Sequence, residues 1–262
     1  MVIPILVSKM KSIRKHIDDI LFLDIETTGV ESGYDKLSPE LKSFWLSKSR
    51  LLLRDKNISE AIASDLYLSK GAIYSEFAKI VCISIGFVII EDDDIVGMRT
   101  KSFYGEDESA ILEDFVDLMN KHFDQPKKQY LCGHNVKEFD VPFICRRLLI
   151  NKIPIPKRLD ITGKKPWEID HIIDTMSMWR FGDYKNFTSL ALLAHVLDVP
   201  TPKDDIDGSM VHSVYWDDND VERIAVYCEK DVVTSAKVLI KLLGLQVESS
   251  FENISKTDFQ KS

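Results

Sequence analysis

The residues best suited to chemistry are acids set against apolar runs. Asp24 and Glu26 lie two apart in Phe22-Leu23-Asp24-Ile25-Glu26-Thr27-Thr28-Gly29. In a strand, side chains two apart share one face at about 6.5–7 Å, so both carboxylates project together where the apolar run gives out. Two such groups repel unless a cation sits between them, and burying them costs several kcal/mol unless they are paired or metal-bound. A divalent ion explains the pair economically; a solvated turn at the strand end explains a bare Asp-x-Glu equally well. Asp140 opens a predicted helix directly after a strand, in Gly133-His134-Asn135-Val136-Lys137-Glu138-Phe139-Asp140-Val141-Pro142-Phe143. Taken alone it is satisfied as a helix N-cap. Tyr227 and Asp231 are four apart in a long helical pattern, which puts them on one face with Cβ atoms about 5–6 Å apart. A solvated helix face would permit that pair, but it accounts poorly for an acid flanked by Val226, Val232 and Val233.

The elements that must carry these residues alternate. Residues 21–25 and 79–90 read as strands, and 96–103 can pair with the second through the acidic turn at 91–94. Residues 109–123 have the apolar recurrence of an amphipathic helix. Residues 130–133 read as a strand, followed by a helix over 141–150 that tolerates Pro142 because it falls in the first turn. Ile172 and Ile173 end a strand before Asp174, where Asp174 either caps the next segment or adds a fifth acid to the others. Residues 189–197 and 221–243 read as helices, the latter stopped by Gly244. Strands interleaved with helices give an α/β class. Residues 30–76 break the alternation with two helix-like stretches, 39–53 and 59–68, and no strand. This is a helical insertion, either packing decoration or a flap over a cleft. The expected organisation is one domain over residues 1–245 and a polar tail, 246–262, expected to fray.

Composition bounds what these residues can serve. The 262 residues include 34 Lys+Arg and 42 Asp+Glu, a formal charge of −8, with 45% hydrophobic residues. That suffices for one substantial core and argues against nucleic-acid binding by bulk charge. No stretch approaches the roughly 18 apolar residues of a membrane span. The N-terminal apolar run at 2–7 precedes Lys9, Lys11, Arg14 and Lys15, the reverse of a secretory order, so a cytoplasmic protein is expected. Cys82, Cys132, Cys145 and Cys228 form no metal-binding spacing and read as reduced, mostly buried thiols.

The three acidic segments in this order resemble the exonuclease motifs of the DEDD superfamily, which has a ribonuclease-H-like fold: Asp24-Ile25-Glu26-Thr27-Thr28-Gly29, then Asn135-x-x-x-Phe139-Asp140-x-Pro142-Phe143, then Tyr227-x-x-x-Asp231. The second is similar to the pattern of family B DNA polymerase proofreading domains. The third is of the tyrosine subtype, since the position where the histidine subtype would place its His is Val226. Phe181-Gly182-Asp183-Tyr184-Lys185 and Lys203-Asp204-Asp205-Ile206-Asp207-Gly208 look like stand-alone members of that group. The resemblance implies a mixed central sheet flanked by helices, with the helical insertion following the first strand. It implies 3′–5′ hydrolysis of terminal phosphodiester bonds with two divalent cations, Mg²⁺ or Mn²⁺, about 3.5–4 Å apart. Asp24, Glu26, Asp140 and Asp231 would be the metal ligands and Tyr227 the residue that orients the attacking water. Thr27, Thr28, Asn135 and Phe139 would contact the terminal nucleotide, Phe139 by stacking on a base or, equally, as core. The partner implied is nucleic acid, DNA favoured over RNA and single-stranded 3′ ends over duplex. The setting implied is DNA repair, with a polymerase or repair protein in trans. Three departures stand out: His134 replaces the aromatic usual in replicative polymerases, no polymerase segment accompanies the motifs, and the insertion at 30–76 displaces the hairpin that would normally follow the first motif more closely.

Basic residues cluster at 146–165, with Arg146, Arg147, Lys152, Lys157, Arg158, Lys164 and Lys165 against Asp160 alone. Arg146 and Arg147 are candidates for phosphate contact, with a solvated basic loop as the alternative. His195, on an apolar helical stretch, reads as a core histidine. Asp204, Asp205 and Asp207 lack the regular oxygen spacing of a Ca²⁺ loop. Two other classes remain open. A haloacid-dehalogenase-type phosphatase also places Asp-x-Asp after an apolar strand, but here the second acid is Glu26. A catalytically silent nucleic-acid-binding or polymerase-accessory domain would have to keep all the acids while misassembling the site.

Overall fold

The computed structural model describes residues 13–123, 129–165, 167–183, 185–200, 205–247 and 251–259. The N-terminal apolar run at 2–7, Tyr184, Lys203 and Asp204 lie outside them. Six strands form one mixed sheet in the order β5-β4-β1-β2-β3-β6. β1 (Ile20–Gly29), β2 (Ala78–Glu91) and β3 (Asp94–Tyr104) make an antiparallel meander. β4 (Tyr130–Gly133) adds to β1 in parallel, and β5 (Ile172–Asp174) adds to β4 in parallel. A meander extended by parallel strands on the first strand's free side is the ribonuclease-H-like sheet expected from the motifs. The β2–β3 turn is tight because Asp92 and Asp93 both adopt left-handed backbone, with φ of 49° and 71°, the conformation that matches strand twist across a two-residue hairpin.

Alternation along β1 decides which layer each side chain meets. Leu21, Leu23 and Ile25 point into a core with Ile111, Leu112 and Phe115 of α3 (Glu108–His122) and Phe143, Ile144 and Leu148 of α4 (Asp140–Ile150). Phe22 points the other way, into a core with Val232, Ala236 and Leu239 of α8 (Val221–Leu242). Asp24 and Glu26 continue the even-numbered face and therefore look toward α8. β1 runs on to Gly29, so the acidic pair sits within the strand, not in a turn after it, and the register slips between Glu26 and Thr27. Local signals set the helix ends: the Asp107 carboxylate accepts from the N–H groups of Ser109 and Ala110, and that of Asp220 accepts from Arg223 N–H. Gly244, at φ 65°, ends α8.

Residues 30–76 are helical as expected, with α1 (Pro39–Leu53) and α2 (Glu60–Lys70). They pack around Trp45, whose side chain is fully buried and whose indole N–H donates to Ala63 O at 2.8 Å. Tyr67 ties this layer to the end of β1 through hydrogen bonds with the Glu31 backbone. Gly29 is required there, because a Cβ would meet the Tyr67 hydroxyl at 2.6 Å.

The tail departs from expectation. Glu252–Ser255 forms β6, parallel to β3, and Gly97 permits the approach because a Cβ there would meet Glu252 O at 2.6 Å. The polar composition that suggested fraying has a buried partner. The Glu229 carboxylate, on α8 and 4% exposed, accepts from the hydroxyls of Thr100, Ser102, Ser255 and Thr257. Among the described residues, three further short α-helices are α5 (Thr175–Arg180), α6 (Leu190–Val196) and α7 (Val211–Trp216). His195 is exposed on α6, not in the core. Among the described residues no helix is long and apolar enough to cross a membrane.

Candidate active site

The acids converge at one end of the sheet. β4 pairs with β1 only as far as Phe22↔Cys132, so past Leu23 that edge of β1 is open to the segment leaving β4. Gly133 lets this segment lie close: a Cβ there would meet Leu23 O at 2.7 Å. The chain then reverses through Asn135, at φ 65°, a left-handed conformation that Asn tolerates. It enters α4 with Phe139 at the N-cap and Asp140 as the first helical residue. Asp140 is therefore not the cap; it is buried, at 3% exposure, beside the Ile25 backbone. From the other layer, α8 presents Tyr227, Cys228 and Asp231 to Asp24 and Glu26. The Cys228 thiol lies 3.4 Å from Asp24 Oδ2 and 3.5 Å from Asp24 O. Ligand atoms of Asp24, Glu26 and Cys228 all fall within 4.8 Å of one another.

Electrostatics mark this cluster as short of positive charge. Burial, followed by the Asp140, Glu26 and Asp231 carboxylates, pushes Asp24 well above the usual carboxylate range. Glu26 is pushed up in the same way by burial and then by Asp231. Burial lifts Asp140 to about 7, with backbone hydrogen bonds at Asp140 and Ile25 pulling against it and Asp174 adding to it. Among the described residues no Lys, Arg or His forms an ion pair with Asp24, Glu26 or Asp140. A divalent cation would relieve this repulsion, so the donor set fits metal binding. The Tyr227 phenol is raised far above its ordinary value by burial and by Asp231, Glu26 and Asp24, and it hydrogen-bonds Asp231. It stays protonated at neutral pH and so cannot serve as a general base.

The remaining predicted contacts divide. Arg147 is buried: its guanidinium donates to both Glu108 carboxylate oxygens, with Nε–Oε1 at 2.8 Å, and to Ser75 O. It is a structural ion pair and is withdrawn from phosphate contact; Arg146, the next residue, is exposed. Thr28 is also fully buried, bonded through Oγ1 to His212 Nδ1 at 2.9 Å, and Thr27 donates to Ala72 O at 2.8 Å. Both threonine side chains tie β1 to its surroundings. Phe139 is partly exposed and packs against Phe143 at 5.4 Å between ring centroids. The side-chain oxygen of Asn135 is buried without a hydrogen-bond partner, on the loop that leads from β4 to Asp140. Asp174 resolves as a cap: it accepts from Ser177 N–H and from the N–H groups of Asn135 and Lys137, which steadies that same loop.

Three further participants, Cys228, His212 and Glu108, lie outside the motif residues. Cys228 could have been found, since it is three residues before Asp231 on the same helix face. His212 bridges Thr28 Oγ1 and Ser32 O, and nothing local to its sequence signals that. The same holds for Glu108, the partner of Arg147 from a different helix.

Comparison with known proteins returns a structure of low similarity, the family B DNA polymerase from the hyperthermophilic archaeon Pyrobaculum calidifontis. Its identity is 16% and its TM-score 0.49, with 85% of this chain and 24% of the polymerase covered. The chain thus spans about a quarter of that polymerase's length. No curated protein matches. A family described as "predicted 3′–5′ exonuclease related to the exonuclease domain of PolB" matches residues 73–260. That span holds Asp140, Tyr227 and Asp231 but begins after Asp24 and Glu26, which join the cluster through β1. A match over well more than half of the chain establishes its membership: the chain belongs to this family of predicted 3′–5′ exonucleases related to the exonuclease domain of PolB.

Proposed function

We propose that this protein is a metal-dependent 3′–5′ exonuclease that releases nucleotides from DNA, acting on single-stranded 3′ ends. The observation that carries the reading is the convergence of Asp24, Glu26, Asp140 and Asp231, from three elements distant in sequence, with Tyr227 bonded to one of them. Two divalent cations, Mg²⁺ or Mn²⁺, held by these four acids would supply hydroxide at neutral pH and offset charge on the leaving 3′-oxygen. The chain's own groups do the rest. The Tyr227 hydroxyl orients the attacking water by hydrogen bonding, because its burial rules it out as a base. Phe139 and the Asn135 side chain receive the terminal nucleotide, and Arg146 offers charge to the backbone phosphates. Residues 1–245 form the exonuclease domain with 30–76 as its insertion and 246–262 as its tail, of which Glu252–Ser255 pairs with β3. A repair or polymerase partner in trans fits a domain of this kind.

The test is whether 5′-labelled single-stranded DNA is shortened from its 3′ end with Mg²⁺ or Mn²⁺ and protected by EDTA. Asp24→Ala should abolish nucleotide release, and Tyr227→Phe should leave a measurable residue. Full activity of purified Asp24→Ala would end the proposal. Hydrolysis of a phosphomonoester but not DNA would favour the phosphatase reading, and binding without hydrolysis the accessory one.

A further inference from the structure

We infer that Asp24, Glu26 and Cys228 form a site for a thiophilic divalent cation of the zinc class, and that its occupancy withdraws the two carboxylates from Mg²⁺. The inference rests on the reading of Asp24 and Glu26 as metal ligands and adds a ligand of a different kind. Tetrahedral zinc with Zn–S of about 2.3 Å and Zn–O of about 2.0–2.2 Å places sulfur and oxygen about 3.5 Å apart. The Cys228 Sγ to Asp24 Oδ2 separation is 3.4 Å, already that edge. Glu26 supplies a third donor within the same 4.8 Å sphere. An octahedral Mg²⁺ site, by contrast, draws on oxygen donors at about 2.0–2.1 Å and has no use for a thiolate.

The position of the thiol is built in. Cys228 is fully buried on α8, three residues before Asp231, and the Cys82 side chain hydrogen-bonds it from β2. It therefore faces the carboxylates from a fixed helix. On coordination, the Sγ–H bond breaks, the proton goes to solvent and the sulfur lone pair forms the metal bond, with a water completing the fourth position. No oxidant or reductant is involved. Because both carboxylates are shared, zinc and magnesium compete, and a zinc-loaded chain holds its acids in a geometry unsuited to the hydrolytic ions.

Cadmium tests this with a readout independent of hydrolysis, the ultraviolet charge-transfer band of a cadmium–thiolate bond. Reduced, metal-free protein titrated with Cd²⁺ should develop the band, and added Zn²⁺ should erase it by displacement. Cys228→Ser should lose the band, whereas Cys145→Ser, on α4 with its thiol bonded to Leu159 O, should keep it. Should Cys228→Ser fail to fold by circular dichroism, Asp24→Asn provides the second variant, in which the Cd²⁺ concentration giving half the band must rise. No band in the wild-type protein, or an undiminished band in folded Cys228→Ser, overturns the inference. Mg²⁺-dependent DNA shortening without a band rejects the soft-metal site alone. A band without any DNA shortening keeps that site and rejects the exonuclease reading.

Discussion

Replacing Asp140 by Asn should stabilise the metal-free protein, with a pH dependence dominated by that carboxyl and its repulsion of Asp24. Burial holds Asp140 at about 7 in the folded chain against 3.8 as its ordinary value. The folded state then binds more protons than the unfolded state between these values, so this residue's contribution to stability falls as pH rises through that window. At about 1.4 kcal/mol for each tenfold, the cost is near zero below about pH 4 and reaches roughly 4 kcal/mol above pH 7. The replacement amide has almost the same shape and does not titrate. The Asp140→Asn variant should therefore melt with the wild type near pH 4, and its advantage should grow steadily to a plateau above about pH 7, worth roughly 10 °C for a chain of this size. The assay is calorimetric or fluorimetric unfolding in EDTA across that range. A cation bound to the wild type should erase the difference, because ligand binding to the folded state stabilises it by mass action. An advantage that is constant with pH, or absent at pH 8, would refute the claim that Asp140 sits in the folded protein as a repelled, desolvated acid.

Two further perturbations test the rest of the scaffold. Arg147→Ala strands the buried Glu108 carboxylate and should cost about 3–5 kcal/mol in denaturant unfolding, while the salt dependence of DNA affinity stays that of the wild type; a weaker salt dependence would return Arg147 to the phosphate-binding set. Glu229→Ala removes the shared acceptor of Thr100, Ser102, Ser255 and Thr257, with an expected loss on the order of 1–3 kcal/mol. Its specific signature is faster amide hydrogen exchange in Glu252–Ser255, and unchanged exchange there would show that β6 is held by strand pairing alone.

The elements and their order were legible in the amino-acid pattern because each rests on local physics. Short apolar and β-branched runs marked β1 and β2, the apolar recurrence marked α3 and α8, and capping or stop residues such as Ser189 and Gly244 bounded helices within a residue or two. The candidate acids were legible too, since Asp24 with Glu26 and Tyr227 with Asp231 are related by strand and helix periods. What the pattern could not carry was anything whose partner lies far away in the chain. Arg147 looked like Arg146 until α3 placed Glu108 against it, and only then did one become a buried ion pair and the other an exposed cation. The tail looked solvated because its Ser255 and Thr257 are polar, yet their acceptor, Glu229, comes from α8. Thr28 became a tie to His212 for the same reason.

The sequence by itself determined which residues could share a face: carboxylate spacing, strand alternation and helix period are properties of adjacent residues. Only the tertiary structure decided which faces meet, because side-chain contacts between β1, α4 and α8 depend on sheet order and layer packing across more than a hundred residues of chain. That meeting brought Asp140 from one layer and Asp231 from the other to the same carboxylate pair, and set Cys228 beside Asp24 where no motif had put a ligand.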